Sequence, residues 1–266
     1  MLTVLLLILL IPLFFTIFYQ KMQLEELLGN VEGTAEEEKD ADRLFLIVAK
    51  EISADAPKEC LKAQCVIART NLVAAEEMGT ETPGQMKLEE LQELWGNYFS
   101  EAEAKIKEAV AETKGETLQY QGHYIYAAYH AVSAGNTRNM QELYSDSDMP
   151  YLCSVPCYED AQAKEYLSVL YLDRNITIEE KDSTGYVTKA EMDGISYTGE
   201  ELRGILGLKS ANFTVTELED GKVRIVTKGR GHGFGLSQYT AQKMAENGDD
   251  YKMILQYFFP GAKICE

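Results

Sequence analysis

Three residues near the start of the chain carry the first candidate chemistry. Lys62 and Arg69 stand seven positions apart in a helical stretch, about 20° from eclipse on a 3.6-residue helix, so they share one face. Glu51 precedes that helix at the end of the apolar run Leu44–Ala49. A carboxyl group beside apolar side chains is a candidate general acid, and two cations on one face are placed to hold an anionic group of a substrate. The alternative is a solvated helix-end acid and two surface ion pairs. A second candidate is Gly229-Arg-Gly-His-Gly-Phe-Gly235. Four glycines in this loop demand tight turns and leave Arg230 and His232 with little side-chain cover. The loop is not a dinucleotide fingerprint, because no further strand or acidic residue follows at the required spacing before the chain ends. The sequence has no Walker-type loop, no His-Glu-x-x-His and no Gly-x-Ser-x-Gly.

The elements that must position these residues read as follows. Pro57-Lys58 opens a helix through about Glu77, with Asp55 as its expected cap. Residues 86–114 carry two amphipathic, acidic helices separated near Ser100. Strand patterns begin after Glu116, with Thr117–Tyr120 and Tyr124–Val132 flanking the turn Gln121-Gly122. Further strands are predicted around Tyr151–Val155, Asn175–Glu180, Phe213–Leu218 and Val223–Thr227, the last two joined by Glu219-Asp220-Gly221. Short helices are predicted at Gly199–Leu206, Ser237–Glu246 and Tyr251–Phe258. The fold class is α+β: a helical N-terminal part, then β-hairpins with short helices.

The chain has 266 residues, with 25 Lys+Arg against 43 Asp+Glu and a formal net charge of −18. That balance argues against nucleic acid and against general adhesion to anionic lipid, since both require a cationic footprint. Leu2–Tyr19 is uncharged, and as a helix would span roughly 27 Å, close to a bilayer core. With no charged leader or small-x-small site, it reads as an uncleaved transmembrane helix over 1–20, with a cleaved signal as the alternative, followed by an acidic linker over 21–42 and a domain over 43–266. Five cysteines cannot all pair within one chain. Cys60 and Cys65 would lie roughly 8 Å apart on different helix faces, too far for a disulfide. Cys153 and Cys157 are left as either a pair or two free thiols.

On these residues the chain resembles the stage II sporulation protein D family. Leu46–Asn71 looks like the opening of that domain, where a helix ends in Glu and an "EALKAQAVAARTY"-like run follows. Gly199–Phe213, Gly229–Ala241 and Tyr251–Ile264 resemble its C-terminal signature closely, Tyr126–Gly135 its "YHSTSGG"-like segment and Pro150–Val155 its "PYLxSV". The resemblance leaves out 76–115, which reads as an acidic helical insertion.

The resemblance implies a membrane-anchored lytic transglycosylase that cleaves denuded peptidoglycan glycan during sporulation and engulfment. Its domain would stand on the outer side of the membrane. The implied acid/base is Glu51, with Lys62 and Arg69 as the required cations. Tyr129 and His130, then Ser237, Gln238 and Tyr239, are the implied substrate-binding positions, to which Arg230 and His232 of the glycine loop and Ser133, two places beyond Ala131, are added as candidates. In the lytic reaction the sugar's own C6 hydroxyl attacks C1, so one residue serves as acid and then as base, and no cofactor is expected. Two departures stand out. Ala131 takes the place of the family's Ser after the His, and Glu76–Gly115 contains neither His nor Cys where many members bind zinc. His130, Cys153 and Cys157 could supply three zinc ligands, but that is not the family's site, and no metal is expected. Expected partners are glycan strands, with a wall amidase and a membrane-anchoring partner as further candidates. The rival reading is a non-enzymatic enhancer of a wall amidase; a blander third is a wall-binding module without turnover.

Overall fold

The longest described helix is built on a stripe of Leu61, Cys65, Ala68 and Leu72, all buried, at the spacing that gives a helix one apolar side. A computed structural model describes residues 39–144 and 147–266. The chain divides into two units, Met1–Arg43 and Leu44–Glu266, and the architecture that follows is that of the second. Helix α1 ends at residue 51. It is followed by α2 (Lys58–Met78), α3 (Leu88–Trp95) and α4 (Phe99–Glu112). Pro57 stands at the N-cap of α2 without a side-chain cap, and Asp55 instead accepts a hydrogen bond from the Tyr98 hydroxyl. Helix α2 stops at Gly79, whose φ of 64° is the left-handed conformation that ends helices.

Beyond α4 the chain forms β1 (Thr117–Tyr120), β2 (His123–Tyr124), β3 (Tyr129–His130), a single turn α5 (Met140–Leu143), and then a run of strands. These are β4 (Leu167–Leu172), β5 (Ile176–Lys181), β6 (Val187–Met192) and β7 (Ile195–Tyr197). Helix α6 (Gly199–Leu206), β8 (Phe213–Glu217), β9 (Val223–Lys228), β10 (Leu236–Ser237), α7 (Gln238–Glu246), α8 (Tyr251–Phe258) and β11 (Lys263–Cys265) complete it. The strands pair in four small sheets, ordered β11-β1-β2, β10-β3, β4-β9-β8 and β5-β6-β7. All ladders are antiparallel except β3 with β10, where Tyr129 and His130 run parallel to Leu236 and Ser237. That short pair brings the middle of the chain to its glycine loop.

Two apolar cores result. The larger joins α1, α2 and α4 to the C-terminal helices, through Phe45, Ile67, Ile106, Ile254 and Phe258. The smaller lies among β5, β6, α6, β8 and β9, around Val187, Leu202, Phe213 and Ile225. Leu91, Ala102, Ile106 and Ala109, from the stretch read as an insertion, are buried in the larger core.

Several expectations need correction. Tyr124–Val132 is not one strand: it breaks into β2 and β3 around buried Ile125, Ala127 and Ala128. Tyr151–Val155 is irregular and is tied to Thr137 by hydrogen bonds instead. The transmembrane helix expected over 1–20 gains no support. Among the described residues no helix is long and apolar enough to cross a membrane, and 1–20 lies outside them. The longest described helix, α2, carries Lys58, Glu59, Lys62, Arg69, Glu76 and Glu77, charges that a bilayer core would not accept. The fold described is therefore α+β without a membrane span. The membrane partner and the single-pass topology rested on that helix and gain no support either, and the outer-side placement, argued from where the glycan lies, loses the anchor it assumed.

Candidate functional site

Glu51 stands at the last position of α1, where the chain turns away and leaves the side chain about a quarter exposed, 27%. Its main-chain carbonyl accepts a hydrogen bond from the Gln238 amide at 2.9 Å, and that amide also reaches Gln64 Oε1 at 3.3 Å. Gln238 thus ties the start of α7 to the end of α1 and fixes where Glu51 projects. The carboxylate has Lys50 Nζ at 3.7 Å. Its other neighbour is Tyr129. Burial, together with the charge and hydrogen bonding of Glu51, holds the Tyr129 phenol well above its ordinary range, so it remains a neutral donor.

These two residues line a cavity of about 470 Å3 with Asn71, Tyr126, His232 and Glu81. Asn71, on α2, clamps the main chain of Ala127 in both directions, accepting from its N–H and donating to its C=O, each at 2.9 Å. That clamp sets the 125–128 segment against the helix and aims Tyr126 outward, 53% exposed. His232 enters from the glycine loop. Its Nδ1 accepts from the Phe234 N–H at 3.0 Å, and its ring stacks on Phe234 at 5.8 Å. Burial lowers its tendency to take a proton.

The loop geometry depends on glycine at two points. Gly231 has φ 115°, and a Cβ there would lie 2.6 Å from His130 Cβ. Gly233 has φ 86°, and a Cβ there would lie 2.5 Å from the Tyr186 hydroxyl. Both the left-handed backbone and the close approach exclude a side chain. Behind the loop Arg138 is fully buried. It pairs with Asp182 at 2.9 Å and Glu200 at 2.8 Å, donates to the His232 carbonyl, and lies over the rings of Tyr186 and Phe234. His130 is buried against the same loop. Nδ1 bonds the Phe234 carbonyl at 3.0 Å, Nε2 has no partner, and burial followed by His232 pushes its pKa down to about 3.

The remaining sequence-predicted residues lie elsewhere. Ser133 and Ser237 do not reach the cavity. The Ser133 N–H and the Ser237 and Thr240 hydroxyls all donate to buried Asp160, at 2.6, 2.7 and 2.8 Å. Tyr239 donates its N–H to the Ala131 carbonyl and sits under Lys243. Arg230 is exposed and pairs with Glu165. Lys62 and Arg69 do share a face of α2, but it is the face that meets α4. Lys62 pairs with Glu59 at 3.0 Å and Glu112 at 3.5 Å. Arg69 donates to the carbonyls of Glu116 and Val110 and to the Thr113 hydroxyl. Neither lines the Glu51 cavity. The five cysteines are free thiols, and among the described residues no His, Cys, Asp and Glu group could hold a metal.

Sequence reasoning passed over Asn71, Tyr126, Glu81 and Asp160. Asn71 and Tyr126 close and open stretches that the sequence already singled out, so their positions were available. Glu81 and Asp160 carry no local signal.

Comparison with known proteins gives the family. The family described as Stage II sporulation protein matches residues 40–120, a span that includes Glu51, Asn71 and Glu81. The chain is 32% identical over 250 residues to stage II sporulation protein D of Bacillus amyloliquefaciens, covering 83% of this chain and 72% of that protein. The chain belongs to the stage II sporulation protein D family. The same-named protein of Bacillus subtilis (strain 168) is 30% identical over the same shares of each chain. An amidase enhancer of Bacillus subtilis is 27% identical over 288 residues, covering 82% of this chain and 39% of that protein. Within the family, then, this chain is related both to a sporulation protein and to a protein named for enhancing an amidase.

Proposed function

We propose that the chain acts on peptidoglycan glycan strands at the Glu51 cavity, cleaving them by lytic transglycosylation. The observation that carries this reading is the meeting of the Glu51 carboxyl with the Tyr129 phenol in an open cavity of about 470 Å3. The Tyr126 and Tyr129 rings offer apolar surface to a sugar, and Asn71 and His232 offer polar groups beside it. Glu51 gives a proton to the glycosidic oxygen as the bond to C1 breaks. The C6 hydroxyl of the same sugar then closes on C1 and returns a proton to Glu51, leaving a 1,6-anhydro end. The proton count balances and no water is consumed.

A second reading is that the chain binds glycan and enhances a wall amidase without turnover. The printed name of one relative supports it more directly than any supports the lytic reaction. So does the engagement of Lys62 and Arg69 with α4, which takes them away from the cavity. One experiment separates the readings. Denuded glycan is incubated with the full chain and with its Glu51→Gln and Glu81→Gln variants, and the products are analysed for anhydromuramyl ends. The lytic reading expects such ends from the wild type and from Glu81→Gln, because it needs one carboxylate only. Reducing ends lost in both variants would mean hydrolysis by two carboxylates. No cleavage by the wild type, with a faster amidase in its presence, would establish the enhancer.

A further inference from the structure

The glycine loop borders a second depression, of about 550 Å3. His232 and Tyr129 line the Glu51 cavity, while Arg230, Gly231 and Ala131, each within two residues of them, line this one. Three cations line it, Arg203 from α6, Lys209 from the turn after it, and Arg230 from the loop, with Glu200 as the one lining carboxylate; Arg230 is also paired with exposed Glu165, which lies outside the lining. Glu200 is itself divided between Arg203 at 3.0 Å and buried Arg138 at 2.8 Å. Lys209 is exposed and has no ion pair among the described residues. In a chain of net charge −18 such a local cationic surplus runs against the average. Its direction of attraction is that of an anionic ligand, focused into a concave surface.

We propose that this depression is a carboxylate-binding subsite for the strand held at the Glu51 cavity, with Lys209 as its unpaired contacting cation, Arg230 as a second that exchanges exposed Glu165 for the ligand, and Arg203 as the fixed base. The inference rests on the glycan reading above. A planar guanidinium matches a carboxylate with two parallel hydrogen bonds, and Lys adds a mobile point charge. Lys62 and Arg69, engaged at Glu112, Val110 and Glu116, are then not needed for the substrate's anions. The carboxylate is either the lactyl group of the glycan or a group on its peptides.

The test uses the full chain and the Lys209→Glu/Arg230→Glu variant, both substituted residues being exposed, with thermal unfolding to confirm the fold. Dissociation constants are measured for denuded glycan, for glycan that keeps its peptides, and for a chitin oligosaccharide, which has no carboxylate. The expected result is binding at least about tenfold weaker for a carboxylated glycan, with the chitin oligosaccharide within about twofold and the wild-type preference lost in high salt. A loss on denuded glycan assigns the lactyl group, and a loss confined to peptide-bearing glycan assigns the peptide. Equal losses on all three ligands, or none on either carboxylated one, overturn the subsite while leaving the Glu51 reading in place. A wild type that binds none of the three removes both.

Discussion

Two acids, Glu51 and Asp160, show what separates a reactive region of this molecule from a structural one. Asp160 is fully buried and receives three donors, from Ser133, Ser237 and Thr240. Burial raises its carboxyl above the ordinary range, and those hydrogen bonds offset part of the effect. Its lone pairs are occupied by the protein, so it pins the segment after β3 to the start of α7. Glu51 is partly open, faces a cavity and has Tyr129 beside it. A carboxylate whose lone pairs are taken by the fold serves stability, and one left facing a cavity is available to a ligand.

The largest test of that contrast exchanges the two roles. Glu51→Gln should reduce glycan cleavage by about 10²- to 10⁴-fold, the worth of general acid–base action, while leaving the unfolding midpoint nearly unchanged. Asp160→Ala should do the reverse in origin, costing about 2–4 kcal/mol of stability by orphaning three buried donors, with activity lost only as the fold is lost. Denaturant unfolding and product release measured on the same preparations check both. A Glu51→Gln variant that unfolds easily and still cleaves would break the comparison.

A smaller effect is expected at the loop that the two regions share. Gly231→Val meets both a φ of 115° and the His130 side chain. It should cost about 1–3 kcal/mol and displace His232 from the cavity, weakening glycan binding as well as stability. Gly248 also has positive φ, but nothing lies within 4 Å of a Cβ there. Gly248→Val should therefore cost stability through backbone strain alone and leave binding intact.

The pH dependence sharpens the contrast further. His130 has a folded pKa pushed down to about 3 by burial and then by His232. The unfolded chain therefore binds the proton first. The stability that neutral His130 provides is complete above about pH 6.5 and is lost as pH falls from there toward about 3. His130→Asn should flatten that part of the unfolding profile. An identical slope in wild type and variant would remove His130 as its source.

The smallest expected effect belongs to Lys62. Its ion pairs lie partly in solvent, and Lys62→Ala should cost less than about 1 kcal/mol. Arg69→Ala removes donors to two main-chain carbonyls and should cost about 1–3 kcal/mol. Loss of turnover in Arg69→Ala should follow its fraction unfolded and recover on cooling. A loss that persists in the folded variant would return Arg69 to the glycan site.

Local pattern was enough for the elements with strong periodicity or caps. Helix α2 lies where Pro57 and the apolar stripe put it, α6 has the capping box of Thr198 and Glu201, and β8 and β9 form the expected hairpin. Strands β4, β6, β7 and β11 were not legible: β4 alternates only between exposed and half-buried positions, β7 and β11 are three residues long, and the ladder to a partner strand completes each of the four. The shared face of Lys62 and Arg69 followed from 3.6 residues per turn. What that face meets did not, since a helical period gives direction around an axis and nothing about the neighbour.

The same division runs through the candidate site. Residue type and spacing in the sequence determined that Glu51 follows an apolar run, that the 229–235 loop needs glycine, and that the chain carries the family's motifs. Only the tertiary structure decided which of those residues meet. The parallel pairing of Tyr129–His130 with Leu236–Ser237 brings segments more than a hundred positions apart to one cavity, and the Gln238 amide joins α7 to the end of α1. Such contacts are non-local: their free energy comes from burying surfaces against each other, and no single segment records it.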